Sequence, residues 1–553
     1  MPKSLPALLA LLMLASFGES LLAQPTSTVS VRPNRAAPGV KLSETTTFRN
    51  VEQVAYDILP YGDDFFVSTH VLNRSPVAAL GAGARFDDLY ALRLYRYTPD
   101  LKRTGEISIA WPDERREHIG IVSLGNALLW TFATISDKRG EIEVHAEVLN
   151  DKGEPMSEHR LLNVESRDYF FLGDFEAYSA NRDYYVRAYA DESPQRLLRK
   201  TDDERATITV AVFNRDGEVV TMERKRVRAN RDQLDIQTVA VDDDGRAYVL
   251  AKVYNNSKGR ETRGGSDSKV YLYTLDPGAE DFERTELKLD GQYIEGISMV
   301  PGRDGKPAIA GVYVEKLGRR IKGYFSLDNP ESGAVLKPQE FSQEVLEALG
   351  KRVTTRKGGE LVMEGQFEFR DALRGTDGRL TILLEGYTER VSNNGPGAVG
   401  VGVGGFGYGR QRITYNYGEG VMLTFDQEGV LAEAITIPKF QSTEQANAPF
   451  YRMNLIEYDG QPAVIYNDNP KNFGRDLDKR TRSLRFQQAV ATVSYAGRNG
   501  RLERRPLFAR KDADKVVLVP ASAERLANGE VVFLALRYRG LAKNELRFGL
   551  LSG

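Results

Sequence analysis

The residues able to do chemistry are few and scattered. Glu385 closes the apolar run LTILLE, which places one carboxylate at the end of a strand, where a general acid or base would be expected to meet a substrate. A glycosidase or lyase needs a pair of carboxylates, and 77 Asp and Glu residues offer many pairs without singling one out. The plainer reading of Glu385 is a solvated strand-end charge. A denser group follows the apolar stretch AVIY. There Asn467, Asp468, Asn469 and Asn472 supply short donors and acceptors within six residues. They could bind a glycan hydroxyl, hold a cation, or fix a turn by bonding their own backbone, and turn-making is the simplest of these.

A third candidate is the stretch 393–420, NNGPGAVGVGVGGFGYGRQRITYNYGEG. Gly400, Gly402 and Gly405 satisfy the G-x-G-x-x-G pattern that elsewhere receives a dinucleotide pyrophosphate. That pattern works at the start of a helix within a βαβ unit. Here the segment that follows, YNYGEGVMLTFD, reads as a strand. The stretch is therefore an insertion between two strands, and Tyr408, Arg410, Arg412, Tyr415 and Tyr417 make it a candidate for stacking and hydrogen bonding with a partner.

Other signatures are missing. His70, His118, His145 and His159 are the only histidines and are too widely spaced for H-E-x-x-H. No G-x-S-x-G elbow or P-loop occurs, and a cysteine nucleophile is impossible in a chain with no cysteine. Asp242, Asp243, Asp244 and Gly245 lack the alternation of a calcium loop and read as a turn. No metal site or cofactor is indicated. The net charge of −2 gives no cationic excess for a nucleic-acid backbone.

The elements that must position these residues form a repeat. Turn signals between two apolar runs recur at YGDDFFV, SLGNALLW, SANRDYYV, DDDGRAYVL, GRDGKPAIA, GTDGRLTILL, YDGQPAVIY and LANGEVVFLAL, at intervals of roughly 60–80 residues, each the size of a four-stranded unit with loops. Strands such as AYVLAKVY and VVFLALRY are apolar on both faces, as sheets stacked between neighbours require. The pattern predicts an all-β fold, a β-propeller of eight four-stranded blades, with seven as the alternative. The last unit stops after three strands. Its fourth is expected from the N-terminus, at SETTTFRN (43–50), so that both terminal edges are paired. Between the fifth and sixth units, FSQEVLEALGKR (341–352) reads as a short helical insertion capped by Ser342. Long segments fall mainly between second and third strands and short turns elsewhere, which marks one loop-rich working face.

At the N-terminus, Lys3 precedes the apolar run LPALLALLML, and a small residue, Ala23, stands before Gln24. This is a signal-peptide pattern over 1–23, followed by a linker over 24–42 and the propeller over 43–553. No later segment is apolar for long enough to span a membrane. The segments YNDNPKN, FSQEVLEAL and DGRLTILLEGY resemble a group of exported β-propeller-like proteins of unknown function from Bacteroidota-type bacteria, over about the C-terminal 200 residues. The resemblance implies export, to the periplasm or beyond the cell, and a propeller fold, and it supplies no activity. The expectation is a non-catalytic propeller that binds a protein or cell-envelope glycan through its loop-rich face. The alternatives are a carbohydrate-active hydrolase or lyase with carboxylates at the propeller axis, and a structural envelope component.

Overall fold

A computed structural model describes residues 40–43, 46–47, 52–72, 90–109, 116–136, 141–165, 172–191, 205–231, 233–255, 268–289, 291–314, 320–328, 330, 335–348, 353–355, 361–364, 367–375, 377–392, 412–444, 450–473, 475, 481–497, 500–511, 513, 515–526, 528–537 and 545–551. The signal peptide and linker expected from the sequence lie outside the described residues up to residue 39.

The fold is an eight-bladed β-propeller, as the turn spacing predicts. Eight successive four-stranded antiparallel sheets cover 52–109, 116–165, 172–230, 234–289, 293–340, 367–437, 454–509 and 517–551, the last completed by residues from the N-terminus. The chain divides into two compact units. One holds Lys41–Glu340 and Ser522–Ser552, and the other Phe341–Ala521, with blades six and seven.

The first hairpin turn of each blade is where sequence most directly dictates backbone. Gly62, Gly125, Gly245, Gly305, Gly378, Gly460 and Gly529 all have positive φ, and in blade three Arg182 takes that conformation at φ 60°. Tight hairpins need left-handed residues, which is why glycine marks nearly every repeat. In the larger unit the turns of adjacent blades are also tied together. Asn181 N donates to Asp243 Oδ1 at 2.9 Å, and Asp243 N donates to the Gly305 carbonyl at 3.1 Å. Asp242, Asp243 and Asp244 thus form a turn: Asp242 Oδ1 accepts from Asp244 N and Arg246 N.

Between blades the packing is apolar. Leu59 and Phe66 of blade one pack with Ile121, Leu128 and Trp130 of blade two. Val210 and Val212 of blade three share a cluster with Val239, Val249 and Ala251 of blade four. In the smaller unit, Leu383 and Met422 of blade six meet Met453, Leu455 and Val464 of blade seven. The inner strands, such as those at 247–254, 307–314 and 531–537, bury both faces, so they read as apolar runs rather than as alternating patterns.

A β-bulge recurs in the first strand. The register skips one residue at Ile119 in blade two, Gln237 in blade four, Glu295 in blade five and Arg370 in blade six. In each case the extra residue is unpaired and its side chain is re-aimed.

The closing strand is displaced from its expected position. Val40–Leu42 forms the outer strand of blade eight, and Thr46–Thr47 pairs with the same neighbour, Glu545–Leu551. Closure therefore begins three residues earlier than the Thr-rich 43–50 segment suggests. Val40 and Leu42 are partly buried on either side of exposed Lys41, an alternation that fits a half-covered edge better than a threonine run does. The helix is Gln343–Ala348, and Val345 N donates to Ser342 Oγ at 3.3 Å. Phe341, Val345 and Leu346 are buried beneath it.

A methyl group on Gly305 would collide with the Asp243 carboxylate, whereas one on Gly278, also at positive φ, would meet open space. Gly305→Ala is expected to lower unfolding free energy by about 1–2 kcal/mol more than Gly278→Ala, measured by denaturant titration.

Candidate functional site

Blade six departs from its neighbours. Its second and third strands, Leu380–Ser392 and Arg412–Phe425, contain 13 and 14 residues, against 8 and 7 for the matching strands of blade seven. The excess length forms a ribbon that runs on past the fourth strand, Leu431–Ile437. A short extra strand, Gln441–Glu444, pairs with Thr414–Tyr417 and supports that ribbon. On its face, Tyr387 stacks on Tyr415 with centroids 6.2 Å apart and leans on Tyr417 at 5.4 Å. Tyr387 and Tyr415 are half-buried, while Tyr417 is buried. Burial pushes the Tyr417 hydroxyl above its ordinary value, with Arg452 acting against it.

Under this ribbon lies a set of buried charges. Glu385 is fully buried, not the solvated strand-end charge that its place in the sequence suggests. Its Oε1 accepts from Lys439 Nζ, and its Oε2 accepts from Arg370 Nε at 2.7 Å. Arg370 is the extra residue of the blade-six bulge, so the register shift aims its guanidinium at the carboxylate. Lys439 is itself fully buried between the fourth strand and the supporting strand, and it also donates to the Tyr451 carbonyl. Burial pushes the Lys439 ammonium below the usual lysine value, and Glu385 opposes that shift. Both cations lie near aromatic faces: Lys439 Nζ is 5.2 Å from the Tyr417 centroid, and the Arg370 guanidinium is 5.2 Å from that of Tyr387.

The asparagine-rich segment lies next to this set. Asn467, Asp468, Asn469 and Asn472 are all buried. Asn467 Nδ2 donates to the carbonyls of Phe450 and Leu518 at 2.9 and 2.8 Å, and Gln441 Nε2 donates to the Asn467 carbonyl. Asp468 Oδ1 accepts from Asn469 N and Asn472 Nδ2, both at 2.8 Å, and its Oδ2 is paired with Arg504. Asn469 Oδ1 caps the short 3-10 turn Pro470–Asn472 by accepting from Lys471 N. Asn472 bonds the backbone of Arg482 in both directions. Burial pushes the Asp468 carboxyl up, and Arg504 draws it partly back. These side chains hold backbone in place inside the blade.

The remaining sequence candidates are distributed as follows. Arg412 begins the third strand of blade six, whereas Tyr408, Arg410 and the glycine fingerprint lie outside the described residues. In blade two, His118 Nδ1 accepts from Trp130 Nε1 at 3.0 Å, and His145 Nδ1 is 2.8 Å from Glu158. Burial lowers His159. Among the described residues no group of three or more His, Asp or Glu could hold a metal ion, and no helix is long and apolar enough to cross a membrane.

No protein-family model matches the sequence, and no curated protein does. Among solved structures, the chain is similar to the β-propeller domain of the Trilobed protease from Pyrococcus furiosus, with 11% identity over 84% of this chain and 98% of that one, at a TM-score of 0.33. It is also similar to an apocarotenoid oxygenase from Synechocystis, with 12% identity over 78% and 99% and a TM-score of 0.30. A protein of unknown function from Bacteroides caccae gives 11% over 62% and 89%, at 0.24. At these scores the likenesses carry no functional weight.

Removing the counter-charge of a buried cation costs about 3–5 kcal/mol, so Glu385→Gln is expected to lower stability by that order. A lysine depressed in the folded state binds fewer protons there than when unfolded, over the interval up to its ordinary value, so stability rises with pH across that interval. Without Glu385 the depression deepens and the interval widens toward neutrality. The deficit of Glu385→Gln relative to the parent should therefore shrink as pH rises from about 7 to about 10, read by thermal melts.

Proposed function

We propose that this protein is an exported, non-catalytic β-propeller that binds a protein or cell-envelope ligand through its loop-rich face, with the blade-six ribbon as the principal contact. The observation that carries this reading is the supported ribbon itself. Two overlong strands, stiffened by Gln441–Glu444, present the half-buried Tyr387 and Tyr415 and lead directly into residues 393–411. Tyrosine offers large rigid contact area and a polar tip at small entropic cost. The charges beneath support the ribbon and do not face solvent, because Glu385 is enclosed by Lys439 and Arg370. A catalytic carboxylate would need a path to substrate. Export rests on the n-region, apolar run and Ala23–Gln24 junction of the first 24 residues, and the resemblance of YNDNPKN and its companion segments to exported bacterial proteins agrees with it.

With its own leader, the chain is expected to leave the cytoplasm and to begin at Gln24 by mass spectrometry; retention of residues 1–23 on a cytoplasmic product would refute export. For binding, the mature chain should capture one specific envelope component. Capture should be lost when 393–411 is replaced by a short Gly-Ser linker, and should weaken by about tenfold in Tyr415→Ala, with melting temperature unchanged. Undiminished capture by both variants would remove the ribbon from the reading. Cleavage of envelope polysaccharide by the linker variant would point to a carbohydrate-active enzyme instead.

A further inference from the structure

The fourth strand of blade three, Val219–Asn230, is the edge of its sheet. Because side chains alternate along a strand, Arg224, Arg226 and Arg228 share one face, and all three are exposed, while Val227 and Ala229 on the other face are buried. Arg224 and Arg226 stand opposite Thr209 and Thr207, about 6.8 Å apart as regular strand spacing gives, and Arg228 follows in the bulged stretch between Arg226 and Asn230, still on the exposed side. With Lys225 and Glu223 counted, these twelve residues carry four positive charges and one negative, a net +3 in a chain of net −2.

Several exposed arginines elsewhere in this unit are neutralised, Arg103 by Glu106, Arg160 by Glu143, Arg182 by Glu524 and Arg215 by Asp183. Lys225, on the inward face of the same strand, is paired with Asp281. The row differs. Among the described residues Arg224 reaches only the Asn163 carbonyl at 3.5 Å, and neither Arg226 nor Arg228 meets a carboxylate. Charge on an edge strand can simply deter pairing with another chain, a role that any cation fills and lysine commonly does. Three guanidinium groups on one exposed side of an edge strand are suited to more, since each forms a planar fork for carboxylate, sulfate or phosphate.

We propose that Arg224, Arg226 and Arg228 form a rail for a linear polyanionic glycan, with one anionic group taken by each guanidinium. The row is one strand wide, which matches an extended chain rather than a broad membrane surface. It is too short and too isolated on an acidic protein to compete for nucleic acid. The site is on the outer edge of blade three and stands or falls apart from the blade-six reading.

The test uses the mature chain with heparin as probe, polygalacturonate as a carboxylate-only glycan, and duplex DNA and phosphatidylglycerol vesicles as competing classes. The parent should bind heparin with an affinity that falls as salt rises. Arg224→Ser/Arg226→Ser/Arg228→Ser should weaken it by about tenfold or more. Lys102→Ser/Lys152→Ser/Arg160→Ser, which removes the same charge from exposed positions elsewhere, should change it by less than about threefold. Should the triple variant melt early, Arg226→Ser alone should still reduce the slope of log affinity against log salt by about 0.7–0.9. Equal losses in the row and control variants, or no binding of either glycan by the parent, would overturn the proposal. So would row-dependent binding of DNA or vesicles without glycan binding.

Discussion

Ser43 and Phe548 exchange two hydrogen bonds, Ser43 N to the Phe548 carbonyl at 2.8 Å and Phe548 N to Ser43 Oγ at 2.9 Å. Much else depends on this clasp between residues 505 positions apart. A sheet apolar on both faces is stable only when both are covered, and a terminal strand is safe only when its edge is paired. Phe548 shows the connection, since its ring packs against Phe65 at 5.5 Å and Tyr97 at 4.3 Å in the first blade. The chain has no cysteine with which to staple its ends, so hydrogen bonds and aromatic packing hold the two extremes of the chain together.

The polar interior of blades six and seven belongs to a different design. Burying Glu385, Lys439, Arg370, Asp468 and Arg504 gains little net stability over an apolar core, because desolvation offsets the attraction. What such a group supplies is a penalty for every arrangement in which the partners fail to meet. The long ribbon is the element that most needs such a constraint, since its outer half runs on past the fourth strand and is paired there by the four residues Gln441–Glu444. Lys439 and Gln441 reach it from one segment, and Arg370 reaches it from the bulge.

Much of the architecture could be read from local sequence. Glycine at the hairpin turns, strands apolar on both faces and the Ser342 cap are all written within a few residues of where they act, and these determine blade number and strand order. The fate of the polar residues could not be read in this way. Glu385 looks like an exposed charge until Lys439, 54 positions later, is brought against it, and Asp468 meets Arg504 across 36. One signal was available: Lys439 stands between Ile437-Pro438 and Phe440, an isolated cation in an apolar stretch, which implies a buried counter-charge somewhere. Tyr417 was misleading for a related reason. Strand alternation gives its side, but only Lys439 and Arg370, brought against its ring from elsewhere in the chain, show that this side is covered.

The recurring bulge has a consequence for how such a chain can change. Strand side chains obey a two-fold parity, and one unpaired residue reverses it from that point onward. Ile119, Gln237, Glu295 and Arg370 are thus parity switches, each dividing a first strand into two segments whose inside and outside are set independently. Losing one of them would leave the composition almost untouched, yet it would exchange the inside and outside of everything on one side of it. At Ile119, Gln237 and Glu295 the blades can therefore accept many substitutions but should tolerate very few deletions, whereas at Arg370 the side chain is needed as well, because it pairs with Glu385. That asymmetry separates the identity of a residue from its mere presence.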